Sequence, residues 1–276
     1  MKRKLFLSLV ICISLVIAPV LAAQAAEIPA GAVAFNPSWE YASFSKINSG
    51  CAVMYRADHD RKGIVIGVNA GHGTKGGGKV KTYSHPDMSP KLTGGSNPKG
   101  AIESVAVSGG MTFSDGTSEA SVTLSEARIL RDLLLANGYD VLMIRDGADV
   151  QLDNIARTVM CNNLADCHIA IHWDGDGLGY DKGCFFMSVP DGLKSMAPVA
   201  TTWQRSEALG RSLIEGLRAS GCKINGSGAM SIDLTQTSYS SVPSVDIELG
   251  NQSSAHDAAT LTKLAQGLVQ GINAYF

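Results

Sequence analysis

The chain has 276 residues, 45% of them apolar and 17% charged, with a formal net charge of −2. That length accommodates one large domain or two small ones around a sizeable core. A nearly neutral charge balance lacks the basic footprint of a nucleic-acid binder, so no nucleic-acid partner is expected.

Lys2, Arg3 and Lys4 precede the apolar run LFLSLVICISLVIAPVLAA, and small residues follow in AQAAE. A positive start, an apolar middle and an Ala-x-Ala end form the pattern of a secretory signal. Ala23-Gln24-Ala25 predicts cleavage before Ala26, which makes residues 1–25 the signal. An uncleaved anchor is the competing reading, because the run is nearly long enough to span a bilayer. Pro19 and the adjoining alanines favour cleavage, with no membrane span left in the mature chain. Both readings put the working part outside the cytoplasm. Cys12 leaves with the signal, so Cys51, Cys161, Cys167, Cys184 and Cys222 remain. An odd number leaves at least one thiol free or paired between chains. The absence of a CxxC pair argues against zinc held by cysteines.

Residues 26–62 carry Pro, Gly, Ser and scattered aromatics without a sustained period, and read as an irregular N-terminal extension packed on the main domain. From Gly63 to the end, 63–276, strands and helices alternate. Strands are predicted at Ile64–Asn69, Tyr139–Arg145, Cys167–His172, Cys184–Val189, Ser231–Leu234 and Ser244–Leu249, short and rich in Val and Ile as buried strands are. Helices are predicted from Glu119 to a stop at Gly138, over about 152–164, from about Thr202, and from about Ala255 onward. Ser254 and Asp257 have the spacing of a capping box before the last helix. The alternation predicts a single α/β domain, a mostly parallel twisted sheet with helices on both faces. One stretch breaks the rhythm: residues 76–116 are rich in Gly, Ser, Lys and Pro, and a loop this long is read as a rim or lid over a site, with a neutral surface insertion as the alternative.

That loop begins just after His72, in GIVIGVNAGHGTKGGG. Gly71 to Gly76 formally matches the dinucleotide pattern G-x-G-x-x-G, yet GGKVKTYSHPD follows where a helix should open, which argues against it. In open α/β sheets ligands bind beyond the carboxyl ends of strands. His72 lies there, and so does His172, at the end of CHIAIH. Two such imidazoles can share a metal. A hydrolytic zinc site takes a third protein ligand and keeps a position for water. Glu119 and Glu126 on the first long helix are the candidates, with Glu103 in the loop a weaker one. Glu248 ends SVDIEL at the same edge and suits a proton acceptor. Arg157 is expected to pair with a carboxylate and hold the fold, His59 and His85 to be solvated, and His256 has no evident partner. DGDGLGYD, from Asp174 to Asp181, suggests a calcium loop but has Phe185 where the twelfth ligand belongs.

Four segments in register, IVIGVNAGHG, SEASVTLSEARILRDLLLANGYDVLMIRD, IARTVMCNNLADCHIAIH and SVPSVDIELGN, resemble the zinc-dependent N-acetylmuramoyl-L-alanine amidases, a family of cell-wall hydrolases. The resemblance spans about 63–276. It implies a zinc-exopeptidase-like fold, Zn2+ held by His72, Glu119 and His172, Glu248 as the catalytic base, and peptidoglycan as substrate. It also selects Glu119 over Glu126, because the family's ligand stands five residues before the first helical leucine, here Leu124. Asn69-Ala70 stands where the family usually has Asp-Pro, Trp173-Asp174 follows the third ligand, and Gly250-Asn251 replaces Gly-Phe. The alternatives are a carboxypeptidase-like zinc peptidase, which needs an arginine for a terminal carboxylate, and a non-catalytic peptidoglycan-binding protein of the same fold.

Overall fold

A computed structural model describes residues 30–276; the predicted signal, residues 1–25, lies outside them. In chain order the elements are β1 (Ala30–Ala34), β2 (Cys51–Tyr55), β3 (Val65–Ala70), β4 (Lys81–Tyr83), β5 (Glu103–Val105), α1 (Glu119–Ala136), β6 (Asp140–Met143), α2 (Asn154–Leu164), β7 (Cys167–Asp174), β8 (Cys184–Ser188), α3 (Trp203–Ala219), β9 (Ile224–Ser231), α4 (Thr235–Ser238), β10 (Ser244–Asn251) and α5 (Ala258–Tyr275). Eight strands form one sheet in the order β1-β2-β6-β3-β7-β10-β8-β9. Its centre, β6-β3-β7-β10, is parallel. Antiparallel pairs join β1 to β2, β2 to β6 and β10 to β8.

Side-chain alternation divides the central strands into two unlike faces. Ile66, Val68, Ile169, Ile171, Val245 and Ile247 point into the main core with α1, α3 and α5. There α3 and α5 touch backbone to backbone: a Cβ at Gly216 would lie 2.2 Å from the Gly267 carbonyl oxygen. The opposite face carries Asn69, His168, Asp246 and Glu248, with α2 and α4 packed nearby. A polar inner face of this kind is what a hydrophobic core avoids, and it is where the site lies.

Three expectations need correction. The extension read as irregular over 26–62 is so only in part: its β1 and β2 extend the main sheet, and turns and bends join them. The strand expected at Ser231–Leu234 is instead β9, ending at Ser231. Its polar INGSGAMS lacks alternating hydrophobes because it is an edge strand, and Gly228 is required where φ is 80° and a Cβ would strike Ile214. No capping box opens α5; Asp257 is itself the cap and accepts from the amides of Ala259 and Thr260 at 2.9 and 3.1 Å.

The 76–116 loop folds into the β4–β5 pair and a docked segment. His85, expected in solvent, is fully buried, with Nε2 2.8 Å from Asp233 Oδ1 and Nδ1 2.8 Å from Ser89 Oγ. Asp233 also accepts from the Leu92 amide at 2.6 Å, and Lys91 Nζ lies 3.5 Å from it. The five described cysteines form no disulfide.

Glu126 is buried on α1 with neither carboxylate oxygen partnered. Burial pushes its carboxyl well above the ordinary range. The folded chain therefore keeps a proton that the unfolded chain releases above pH ~4.3, and stability falls as pH rises toward the folded value. Glu126→Met is expected to raise unfolding free energy by about 1–3 kcal/mol at pH 7. The gain shrinks at pH 4 and metal content is unchanged, as denaturant melts at both pH values and metal analysis would check.

Candidate metal centre

The site begins at the turn leaving β3. His72 has φ 64° and Gly73 φ 69°, so two successive residues sit in the left-handed region. That conformation strains a non-glycine residue and persists only when its surroundings enforce it. Two buried arginines do so. Arg145 donates to the carbonyls of Ala70 at 3.1 Å and Gly71 at 2.9 Å. Arg157 donates to the carbonyl of His72 at 2.6 Å, to Asn69 Oδ1 at 3.0 Å and to Thr74 Oγ1 at 2.8 Å. Burial pushes the guanidinium of Arg157 down to about 9, which still leaves it charged at neutral pH. The expected carboxylate partner for Arg157 is thus replaced by carbonyls, an amide and a hydroxyl.

This turn aims the His72 ring at Glu119, the first residue of α1. His72 Nε2 lies 2.8 Å from Glu119 Oε1. His172, near the end of β7, brings Nδ1 to 3.0 Å from His72 Nε2 and 3.1 Å from Glu119 Oε1. Gly71 makes this approach feasible, because a Cβ there would lie 2.3 Å from the His172 ring. Burial alone would raise the Glu119 carboxyl, but hydrogen bonds from His172 and His72 outweigh it and hold the group ionised, well below the usual range. Two imidazole nitrogens and one carboxylate oxygen within 4.8 Å of one another can hold a metal ion. The donor set fits a catalytic zinc site.

Glu248 stands opposite His172 in the β7–β10 register. It and the trio line one cavity of about 630 Å³, together with Asn69, Asp246 and Gln236. Oε2 of Glu248 has no hydrogen-bond partner among the described residues. Burial, then the neighbouring Asp246 and Glu119 carboxylates, push its carboxyl well above the ordinary range. Lys91 and Gly94–Asn97 of the 76–116 loop also line the cavity, together with Asp233.

The family model of the N-acetylmuramoyl-L-alanine amidases matches residues 66–274. The chain belongs to this family. Among solved structures, this amidase is similar to N-acetylmuramyl-L-alanine amidase Ami1 of Mycobacterium smegmatis, with 20% identity, TM-score 0.64, and coverage of 77% of this chain and 96% of that one. Ami1 of Mycobacterium abscessus gives 21%, 0.63, 77% and 98%. The catalytic domain of the amidase CwlV from Bacillus (Paenibacillus) polymyxa gives 19%, 0.54, 77% and 97%. At these identities the likeness is one of fold, the predicted α/β domain. No curated protein matches. Family membership makes this a peptidoglycan-cleaving amidase. None of its helices among the described residues is long and apolar enough to cross a membrane.

Other candidates separate from the site. Glu126 lies in the core and Glu103 is exposed on β5. His59 is exposed beside Asp58, while His256 has a partner after all, Asp115 at 3.2 Å, and rests on the Phe113 ring. Asp174 and Asp176 are tied to Lys182 at 2.5 and 3.3 Å. Asp246 and Arg145 were missed. A charged residue inside the apolar run SVDIEL, two before Glu248 and so on the same face, was the available signal for Asp246.

Proposed function

We propose that this amidase uses zinc, held by His72, Glu119 and His172, to hydrolyse the amide joining the lactyl group of N-acetylmuramic acid to L-alanine, with Glu248 as the base. The observation that carries this reading is the convergence of the three ligand atoms at one end of the sheet, beside Glu248 in the same cavity. Bound there, zinc supplies a Lewis acid that acidifies an attacking water and offsets charge developing on the carbonyl oxygen. Glu248 takes the proton of that water through its unpartnered oxygen and returns it to the departing amine of alanine. Arg145 and Arg157 keep the His72 turn fixed while this happens.

The carboxypeptidase alternative needs an arginine for a terminal carboxylate. Arg157 lines the cavity but already donates to five acceptors, those named above and the carbonyls of Leu152 and Ala70. The binding-module alternative predicts loss of a ligand or of Glu248, and all four are present. Residues 1–25 export the chain to the cell envelope, where its substrate lies. Digestion of purified peptidoglycan should release new N-terminal L-alanine; release of a carboxyl-terminal amino acid instead would mark a peptidase, and no release a binding module.

A further inference from the structure

We propose that Asp246 is a positioning residue of the metal centre: its carboxylate faces Nε2 of His172, favours the proton on that nitrogen through its negative charge, and so keeps Nδ1 of that ring for the metal. This rests on the reading of the trio as metal ligands. Each of the other two ligands is already held from behind. His72 has Nδ1 3.0 Å from the carbonyl of Ser108, which leaves Nε2 for the shared point. Glu119 accepts the Met111 amide on Oε2 at 2.8 Å and the Trp173 amide on Oε1 at 3.1 Å. His172 spends Nδ1 on the shared point, so its orientation and tautomer must be set at Nε2.

Asp246 is the group that faces that atom, with Oδ2 3.7 Å from Nε2, within ion-pair range. Its Oδ1 is buried without a hydrogen-bond partner. The register explains the approach. Asp246 pairs with Ala170 and Glu248 with His172 in the parallel β7–β10 ladder. The methyl of Ala170 leaves room for the shorter acid to reach diagonally along the face toward the imidazole. One strand therefore presents two carboxylates of different length, Asp246 toward the back of the third ligand and Glu248 into the cavity beside the trio. A carboxylate on the outer nitrogen of a ligating histidine fixes the tautomer and raises its basicity as a ligand.

The test uses the mature chain and zinc alone, with chelator competition to measure affinity. Asp246→Ala is expected to weaken zinc binding by roughly 10–100-fold, the range for losing such an outer partner, and the near-isosteric Asp246→Asn by less. Nitrogen-15 spectra of the zinc-loaded parent should place the His172 proton on Nε2, with that signal displaced in Asp246→Asn; a purely structural role would leave it in place. Parent-like zinc affinity in both variants, with His172→Ala losing zinc, would overturn the role of Asp246 alone. Should His172→Ala also keep parent affinity, the metal-site reading itself falls. Asp246→Asn preserves shape, so it decides the matter even if the alanine variant does not fold.

Discussion

Glu248→Gln is expected to keep the fold and the zinc while hydrolysis of peptidoglycan falls by roughly 10²–10⁴-fold, the usual worth of a positioned acid–base group. Glutamine occupies nearly the same volume in β10, so register with β7 and the floor of the cavity are preserved. It cannot accept a proton, and that single loss is what the rate reports. Zinc content by metal analysis and secondary structure by circular dichroism separate this outcome from unfolding. Hydrolysis at the parent rate would assign the base elsewhere.

Stripping zinc with a chelator is expected to lower the rate by at least about a thousandfold, given the several kcal/mol a Lewis acid contributes to an oxyanion transition state. Added zinc should restore it. The metal-free chain is expected to stay folded, because the trio is hydrogen-bonded within itself and the His72 turn is clamped by Arg145 and Arg157. Thermal melts should nonetheless rise with zinc, by about 4 kcal/mol of stability at a thousandfold excess over the dissociation constant. Full activity in metal-free enzyme would sink the zinc reading.

The sequence foretold the parts whose physics is local or periodic. Runs such as VIGVNA and CHIAIH are buried on both sides of the sheet, so their hydrophobicity announces central strands. Strand-end histidines followed from where such sheets bind ligands. Helical periodicity was no help between Glu119 and Glu126, since seven residues bring both to nearly the same side of α1. The axial rise decides it: Glu119 opens the helix at the sheet end, and Glu126 lies roughly 10 Å further in. Only resemblance to a family made that choice from sequence. The edge strands β1 and β9 carry few alternating hydrophobes, because each has a single neighbour in the sheet, and β2, one strand in, is mostly half-buried. His85 read as a solvated loop residue because its partner, Asp233, is 148 positions away. Asp246 had no role until the β7–β10 register set it beside His172.

The docked 84–97 segment and the histidine turn hang from separate supports. Asp233 anchors the first through Leu92 and His85, and Asn97 fastens its far end by accepting the Val105 amide at 2.9 Å. Between those two tethers, Gly94–Asn97 border the groove. Drift in these four positions can reshape what the opening admits while coordination geometry, held by the two guanidinium groups and by Ser108 and Met111, stays as it was. Selectivity and reactivity in this scaffold are thus free to evolve on different clocks.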